Sequence, residues 1–165
     1  MHLRKLEITK NFLKKLKKIE SDHPLYPYIL RILIIIFYAE YEYIAKKLSQ
    51  RVFSSLEKIV LFTKKNKNNF EISVDLIEKY KFNKILRNNF HKIMLEIFQS
   101  ELEEAKKSCL KNVLNFRHRV AHDPFSQLTL SLEEIICAIE LIDNFLFSFE
   151  SAIINRGHKK SDIRK

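Results

Sequence analysis

Residues 115–124 read NFRHRVAHDP and end the most informative helix that the sequence predicts. From residue 101 to residue 121, apolar side chains recur with the period of about 3.6 that marks a helix face packed on a core. The apolar positions are Leu110, Val113, Leu114, Val120 and Ala121. Arg117 falls within this stripe. Because desolvating a charge is costly unless a partner compensates it, a guanidinium at that position indicates a dedicated role.

His122 is predicted to be the end of the same helix. Asp123 and Pro124 follow it, and the residue before a proline is pushed away from helical backbone angles. The imidazole is then exposed at a helix terminus. Arg117 and His122 are five positions apart, so their side chains diverge by about 140° on an ideal helix. Either the last turn unwinds, or a second copy of the chain completes a site that contains both groups.

Composition predicts a single all-α domain. The chain has 165 residues, and its one glycine and three prolines leave few breaks, which favours a few long helices with short connections. Lys and Arg outnumber Asp and Glu by 30 to 20, giving a net charge of +10. Such a charge attracts polyanions, and nucleic acid is the first candidate. The alternative is that the lysine excess only reflects the base composition of the genome.

Three segments are predicted along the chain. Residues 1–20 form a basic amphipathic helix that docks on the domain, with an RNA-contacting arm or a membrane-surface helix as alternatives. Residues 21–156 form the helical domain, and residues 157–165 form a basic flexible tail. The sequence contains neither a secretory signal nor an apolar run long enough to cross a bilayer. We therefore expect a cytoplasmic protein without a membrane partner.

Periodicity and capping signals place the helices inside the domain. The predicted helices cover residues 26–55, 73–86, 88–100, 101–121 and 131–154, and residues 56–62 either extend the first or form a short helix. The last helix begins with the capping box SLEE at residues 131–134. Glu40 lies on or beside the apolar stripe of the longest helix. We predict that Glu40 approaches Arg117, because each charge needs a partner; the alternative is a carboxylate in solvent.

The spacing of Arg117 and His122 resembles the R-x4–6-H signature of the HEPN (higher eukaryotes and prokaryotes nucleotide-binding) family. The context is also similar: a long helix ending at the histidine, a short loop and a capped apolar helix, preceded by a long aromatic helix containing YAEYE at residues 38–42. The resemblance covers residues 24–154. It implies a HEPN-like helical bundle with an extra N-terminal helix, acting as a metal-independent endoribonuclease of toxin or phage-defence type.

The resemblance further implies that two R-x4-H motifs in a homodimer form one composite site, with Arg117 and His122 as the catalytic pair. Histidine suits the proton transfers at the 2′-hydroxyl and the leaving 5′-oxygen, and arginine suits the phosphate between them. The products would be a 2′,3′-cyclic phosphate and a 5′-hydroxyl. The implied partners are RNA, a second copy, and an antitoxin or other regulatory protein. No cofactor is expected.

Neighbouring residues have supporting roles in this interpretation. His118 occupies a position that is commonly asparagine in the family; it orients the site, carries a second proton, or lies on the solvated face. Arg119 is expected at the surface or against a phosphate, and Asp123 either orients His122 or only forms the turn. His118 and His122 have a spacing that can hold zinc, but the intervening Arg-Val-Ala supplies no carboxylate and would repel a cation, so no metal is predicted. Pro124 replaces the tyrosine of the antitoxin-modified branch, so that modification is not expected.

The alternative function is a catalytically inactive HEPN-like module for dimerisation and for protein or nucleotide binding. In that case Arg117 would be buried in a structural ion pair. A fully enclosed Arg117 paired with Glu40 favours this module, whereas Arg117 and His122 lining an open basic groove between subunits favour the enzyme.

Overall fold

The part of the chain that the structure describes is helical. This computed structural model describes residues 6–54, 89–123 and 127–158. Those residues form five helices and no strand, namely α1 (Glu7–Leu16), α2 (Tyr26–Ser54), α3 (Phe90–Ser100), α4 (Glu104–His122) and α5 (Leu132–His158). The all-α prediction is confirmed. The helices predicted at 56–62 and 73–86 lie outside the described residues. Of the flexible tail predicted at 157–165, residues 157 and 158 belong to α5, and the rest lies outside the described residues.

The helix bounds agree best with the sequence where a turn or cap signal marks them. α2 begins at the predicted residue, Tyr26, and is helical to Ser54, the last described residue before residue 89. α5 begins with the predicted capping box: the N–H of Ser131 donates to Glu134 Oε2 at 2.8 Å, and the N–H of Glu134 donates to Ser131 Oγ at 3.2 Å. α5 continues to His158, four residues beyond the predicted end. An apolar period by itself does not mark where a helix stops.

The first of two structural units contains Met1–Tyr43 and Leu102–Asp143. Its apolar core includes Leu6, Leu16, Leu33, Ile34, Phe37, Leu110, Val113, Phe116, Ile135, Ile139 and Ile142. α1 docks here through buried Leu6 and Leu16, while Lys14 and Lys15 face solvent. A basic helix docked in this way was one of the predicted arrangements, but α1 covers Glu7–Leu16, whereas the prediction covered residues 1–20.

The second unit contains Ile44–Glu101 and Asn144–Lys165 and has an aromatic core. The ring centres of Phe53 and Phe90 are 5.1 Å apart, and those of Phe145 and Phe149 are 5.7 Å apart. Edge-to-face and tilted ring pairs of this kind stabilise a core beyond the area they bury. The residues singled out as a functional site all belong to the first unit.

Glu40 provides the cap that α1 lacks in its own sequence. Leu6 precedes α1 in a left-handed conformation, with φ of 45°, and has no side-chain acceptor. The N–H groups of Ile8 and Thr9 instead donate to the Glu40 carboxylate at 3.0 and 2.8 Å, and Thr9 Oγ1 donates at 2.7 Å. Amides in the first turn of a helix need such an acceptor. The expected ion pair between Glu40 and Arg117 is therefore wrong: within the described residues, the carboxylate holds α1.

We expect Glu40→Ala to destabilise the protein by about 2 kcal/mol, because three donors at the start of α1 lose a charged acceptor. In a chain of this size that lowers the melting temperature by roughly 4–8 °C. Thr9→Val is the matched control, since it removes only one of the three hydrogen bonds and keeps the side-chain volume. It should lower the melting temperature by less. Equal melting temperatures for Glu40→Ala and the parent protein would contradict this role.

Candidate functional site at the end of α4

α4 remains helical to its last residue, His122. The N–H of Asp123 donates to the carbonyl of Arg119 at 2.7 Å, and only Asp123 itself is extended, with φ of −138° and ψ of 92°. The predicted helix end is confirmed, in agreement with the effect of Pro124 on the residue before it. Unwinding of the last turn is thereby ruled out in this structure. Arg117 and His122 consequently point about 140° apart.

Arg117 lies at the edge of the buried face of α4. That face consists of Leu110, Val113, Phe116 and Val120, each at most 4% exposed. The predicted stripe contains Arg117 and lacks Phe116, whereas in the structure Phe116 is buried and Arg117 is half-buried. Its central carbon is 4.1 Å from the centre of the Tyr38 ring on α2. A ring face attracts the cation without using its five N–H donors as hydrogen-bond partners, so this contact leaves them able to bind another ligand.

A polar face of α4 ends at His122. Lys111, Asn115, His118 and His122 recur at intervals of four, three and four residues, and all are exposed. This spacing places them on one side of the helix. His118 thus lies on the solvated face with Lys111 and Asn115, one of the three positions predicted for it. It also precedes His122 by a single turn, so one ligand can contact both imidazoles.

A shallow cleft of about 240 Å³ opens beside this face, within the first unit. Asn112, Asn115 and Arg119 of α4 line one side, at the intervals of three and four residues that share a helix face. Phe116 and Glu134 also line it. Arg119 is exposed, as predicted. The two asparagines were not predicted as site residues, although their spacing from Arg119 is visible in the sequence.

Comparison of this chain with protein-family models, with curated proteins and with solved structures found no match. The choice between an enzyme and a binding module therefore depends on the side chains around α4.

The environment of the Cys109 thiol on α4 favours its protonated form. Burial, together with a hydrogen bond to Cys137, raises the pKa of Cys109 to about 12. Its Sγ also lies 3.2 Å from the carbonyl oxygen of Glu134. A thiol with so high a pKa stays protonated near neutral pH and reacts slowly, because the thiolate is the nucleophile.

The described residues contain no group of three or more His, Cys, Asp and Glu side chains arranged to bind a metal ion. None of the described helices is both long and apolar enough to cross a membrane.

The structure separates the predicted site residues into three groups. His118, Arg119 and His122 are exposed near the end of α4. Arg117 contacts α2, on a different side of the same helix. Glu40 is committed to α1. Asp123 is exposed directly after His122, and its two predicted roles remain open. Tyr38, which sequence analysis gave no role, is the residue that positions Arg117.

Proposed function

We propose that this chain is a metal-independent endoribonuclease of the HEPN type, in which two copies share one site built from Arg117 and His122. One observation carries the proposal: α4 stays helical to an exposed terminal His122, while Arg117 is held against Tyr38 on another side of the helix. A single chain contains both the guanidinium and the imidazole that the reaction needs, but they lie on different sides of α4. A two-fold axis near the end of α4 brings both kinds of group to one phosphate.

The chemistry is an intramolecular transfer at phosphorus. One imidazole removes the proton of the 2′-hydroxyl, and the 2′-oxygen bonds to phosphorus. The bond from phosphorus to the 5′-oxygen breaks, and a second imidazole protonates that oxygen. The guanidinium of Arg117 stabilises the charge on the non-bridging oxygens through its fixed fork of donors. The products are a 2′,3′-cyclic phosphate and a 5′-hydroxyl.

The environment of Arg117 supports the enzyme over the inactive module. The module requires Arg117 to be enclosed in a structural ion pair, but the side chain is half-buried and Glu40 is bonded to α1. Within the described residues, the partner of Arg117 is the neutral ring of Tyr38. The positive charge is therefore not neutralised by a carboxylate there, and a phosphate can supply the missing counter-charge.

RNA also suits the rest of the α4 surface. Lys111 and Arg119 provide positive charge along the exposed side. The cleft beside them carries the amides of Asn112 and Asn115, which both donate and accept hydrogen bonds. Sequence-dependent recognition of RNA commonly uses such groups on unstacked bases. We propose single-stranded RNA in the cytoplasm as the substrate, with an antitoxin or other regulatory protein restraining the activity.

Incubation of the purified protein with total RNA tests this function. We expect cleavage that continues in the presence of EDTA, with 2′,3′-cyclic phosphate and 5′-hydroxyl ends identified by sequencing the cut termini. Cleavage that stops with EDTA and returns with Mg²⁺, or that leaves 5′-phosphates, would contradict the mechanism. Binding of nucleotide or protein without any cleavage would favour the inactive module.

A further inference from the structure

An exposed apolar stripe runs along one side of α2. Four of its large side chains are about half exposed: Tyr28 (52%), Ile32 (47%), Ile35 (47%) and Tyr43 (61%). Ala39, also exposed, fills the gap between Ile35 and Tyr43. The intervals of four, three, four and four residues keep all five on one helix face. We call these five residues the α2 stripe. Single exposed apolar side chains are ordinary on a protein surface, whereas a continuous row marks an interaction site.

The α2 stripe has the size expected of a protein interface. It spans sixteen positions, whose fifteen steps rise about 22 Å along the helix. Half of the surface of four large side chains amounts to roughly 400 Å², within the range of functional apolar patches on single chains. With a polar rim, this approaches the roughly 800 Å² that each partner buries in a stable complex.

The order of side chains in the stripe is complementary to itself in the antiparallel direction. If two copies of α2 pair about a two-fold axis just after Ile35, Tyr28 of one copy faces Tyr43 of the other. In the same register Ile32 faces Ala39, so that a large side chain lies opposite a small one. Both pairs have the same midpoint, next to Ile35. A single axis therefore satisfies every position, as an isologous interface requires.

Charges beside the stripe favour the same direction. Arg31 and Glu42 are eleven residues apart. Eleven residues make almost three full turns, so the two side chains point in directions that differ by only about 20° around the helix. The guanidinium of Arg31 is 5.4 Å from the centre of the Tyr28 ring, at the border of the stripe. With the axis just after Ile35, Arg31 of one copy lies opposite position 40 of the other, about 3 Å along the helix from Glu42, and this occurs twice. Parallel pairing would place like charges together, which costs affinity.

We infer that the α2 stripe is the surface through which two copies of this chain form an antiparallel dimer. Tyr38 lies seven residues after Arg31 and four before Glu42, on the same flank. If the two-fold axis is perpendicular to the paired helices, the flank that carries Tyr38 faces the same side of the dimer in both copies. The two Tyr38–Arg117 stacks then border a single groove through which the axis passes. The interface rests on the stripe itself, and the assignment of that groove to RNA cleavage rests on the proposed function.

Charge substitution at Ile35 tests the interface, because this residue lies nearest the axis and meets its own copy. Ile35→Asp and Ile35→Lys should each weaken the dimer at least about 100-fold, since like charges then face each other. An equimolar mixture of the two variants should dimerise again. Phe147→Asp is the matched control: this side chain is 60% exposed on α5 and is not one of the five stripe residues. Sedimentation analysis over a concentration series measures each species, and circular dichroism checks the helix content.

The outcomes separate the interface from the function. A parent protein that is monomeric throughout, that binds anionic vesicles as a monomer, or whose dimer survives both Ile35 variants would overturn the interface. A dimer that Ile35→Asp dissociates, from a parent that cuts no RNA, would support the interface and remove the ribonuclease function. An Ile35→Asp monomer that cuts RNA at the parental rate would keep the interface and refute the shared site.

Discussion

Replacing His122 with alanine is expected to lower the rate of RNA cleavage by about 10²–10⁴-fold, the usual contribution of a positioned general acid or base. The imidazole is exposed at the end of α4, so its loss leaves no buried cavity. The hydrogen bond that closes the last turn, from the N–H of Asp123 to the carbonyl of Arg119, involves backbone atoms only. Cleavage of a labelled RNA gives the rate, and circular dichroism confirms that the variant is folded.

Two other histidines make this experiment specific. His23→Ala removes an exposed imidazole in the turn before α2 and should leave the cleavage rate unchanged. His118→Ala tests whether this exposed residue also takes part in the reaction. A rate loss comparable to that of His122→Ala would assign it a proton transfer, and a smaller loss would assign it an orienting role. No loss would leave it as a solvent-exposed residue without a part in cleavage. A folded His122→Ala protein that cleaves at the parental rate would exclude His122 from the mechanism.

Replacing Arg117 with alanine is expected to lower kcat by roughly 10²–10³-fold, as does loss of other groups that stabilise transition-state charge. Arg117→Lys should restore little of this rate, because an ammonium lacks the planar fork that binds two phosphate oxygens. The cation–π contact with Tyr38 contributes about 1 kcal/mol to stability, so the melting temperature should fall by roughly 2–4 °C. Steady-state kinetics and thermal melting separate these two effects.

Tyr38 provides the matched pair of variants for this prediction. Tyr38→Phe keeps the ring face 4.1 Å from the guanidinium carbon and should retain most of the activity. Tyr38→Leu removes the ring, and with it the surface that positions Arg117, so kcat should fall while Arg117 itself is intact. If Arg117→Ala unfolds the protein but Tyr38→Leu leaves cleavage unchanged, Arg117 has a structural role instead of a catalytic one.

Much of the fold was predictable because local signals mark it. The start of α2 follows from the long apolar period that begins near residue 26, and the start of α5 follows from Ser131 and Glu134. The end of α4 follows from the restriction that Pro124 places on Asp123. Each of these signals acts over a few residues. α5, predicted to end at residue 154, is helical to His158, the last described residue.

The contacts of the site were not predictable to the same degree. Glu40 was correctly marked as a carboxylate in need of a partner, but the partner is the start of α1, where Leu6 provides no cap. Arg117 was correctly marked as an unusual charge on α4, but its neighbour is Tyr38. The charge and predicted burial of a side chain indicate that it requires a partner. They do not indicate which of several distant residues is that partner.

The sequence by itself determined the helical class, the turns and caps, and the position of Arg117 and His122 on one helix that ends at the histidine. Those properties depend on backbone sterics and on residues three or four positions apart. Only the tertiary structure decided that Glu40 caps α1, that Tyr38 holds Arg117, and that the five side chains of the α2 stripe remain uncovered by the described residues. These are outcomes of packing between distant segments, where several partners compete and the arrangement of the helices selects one.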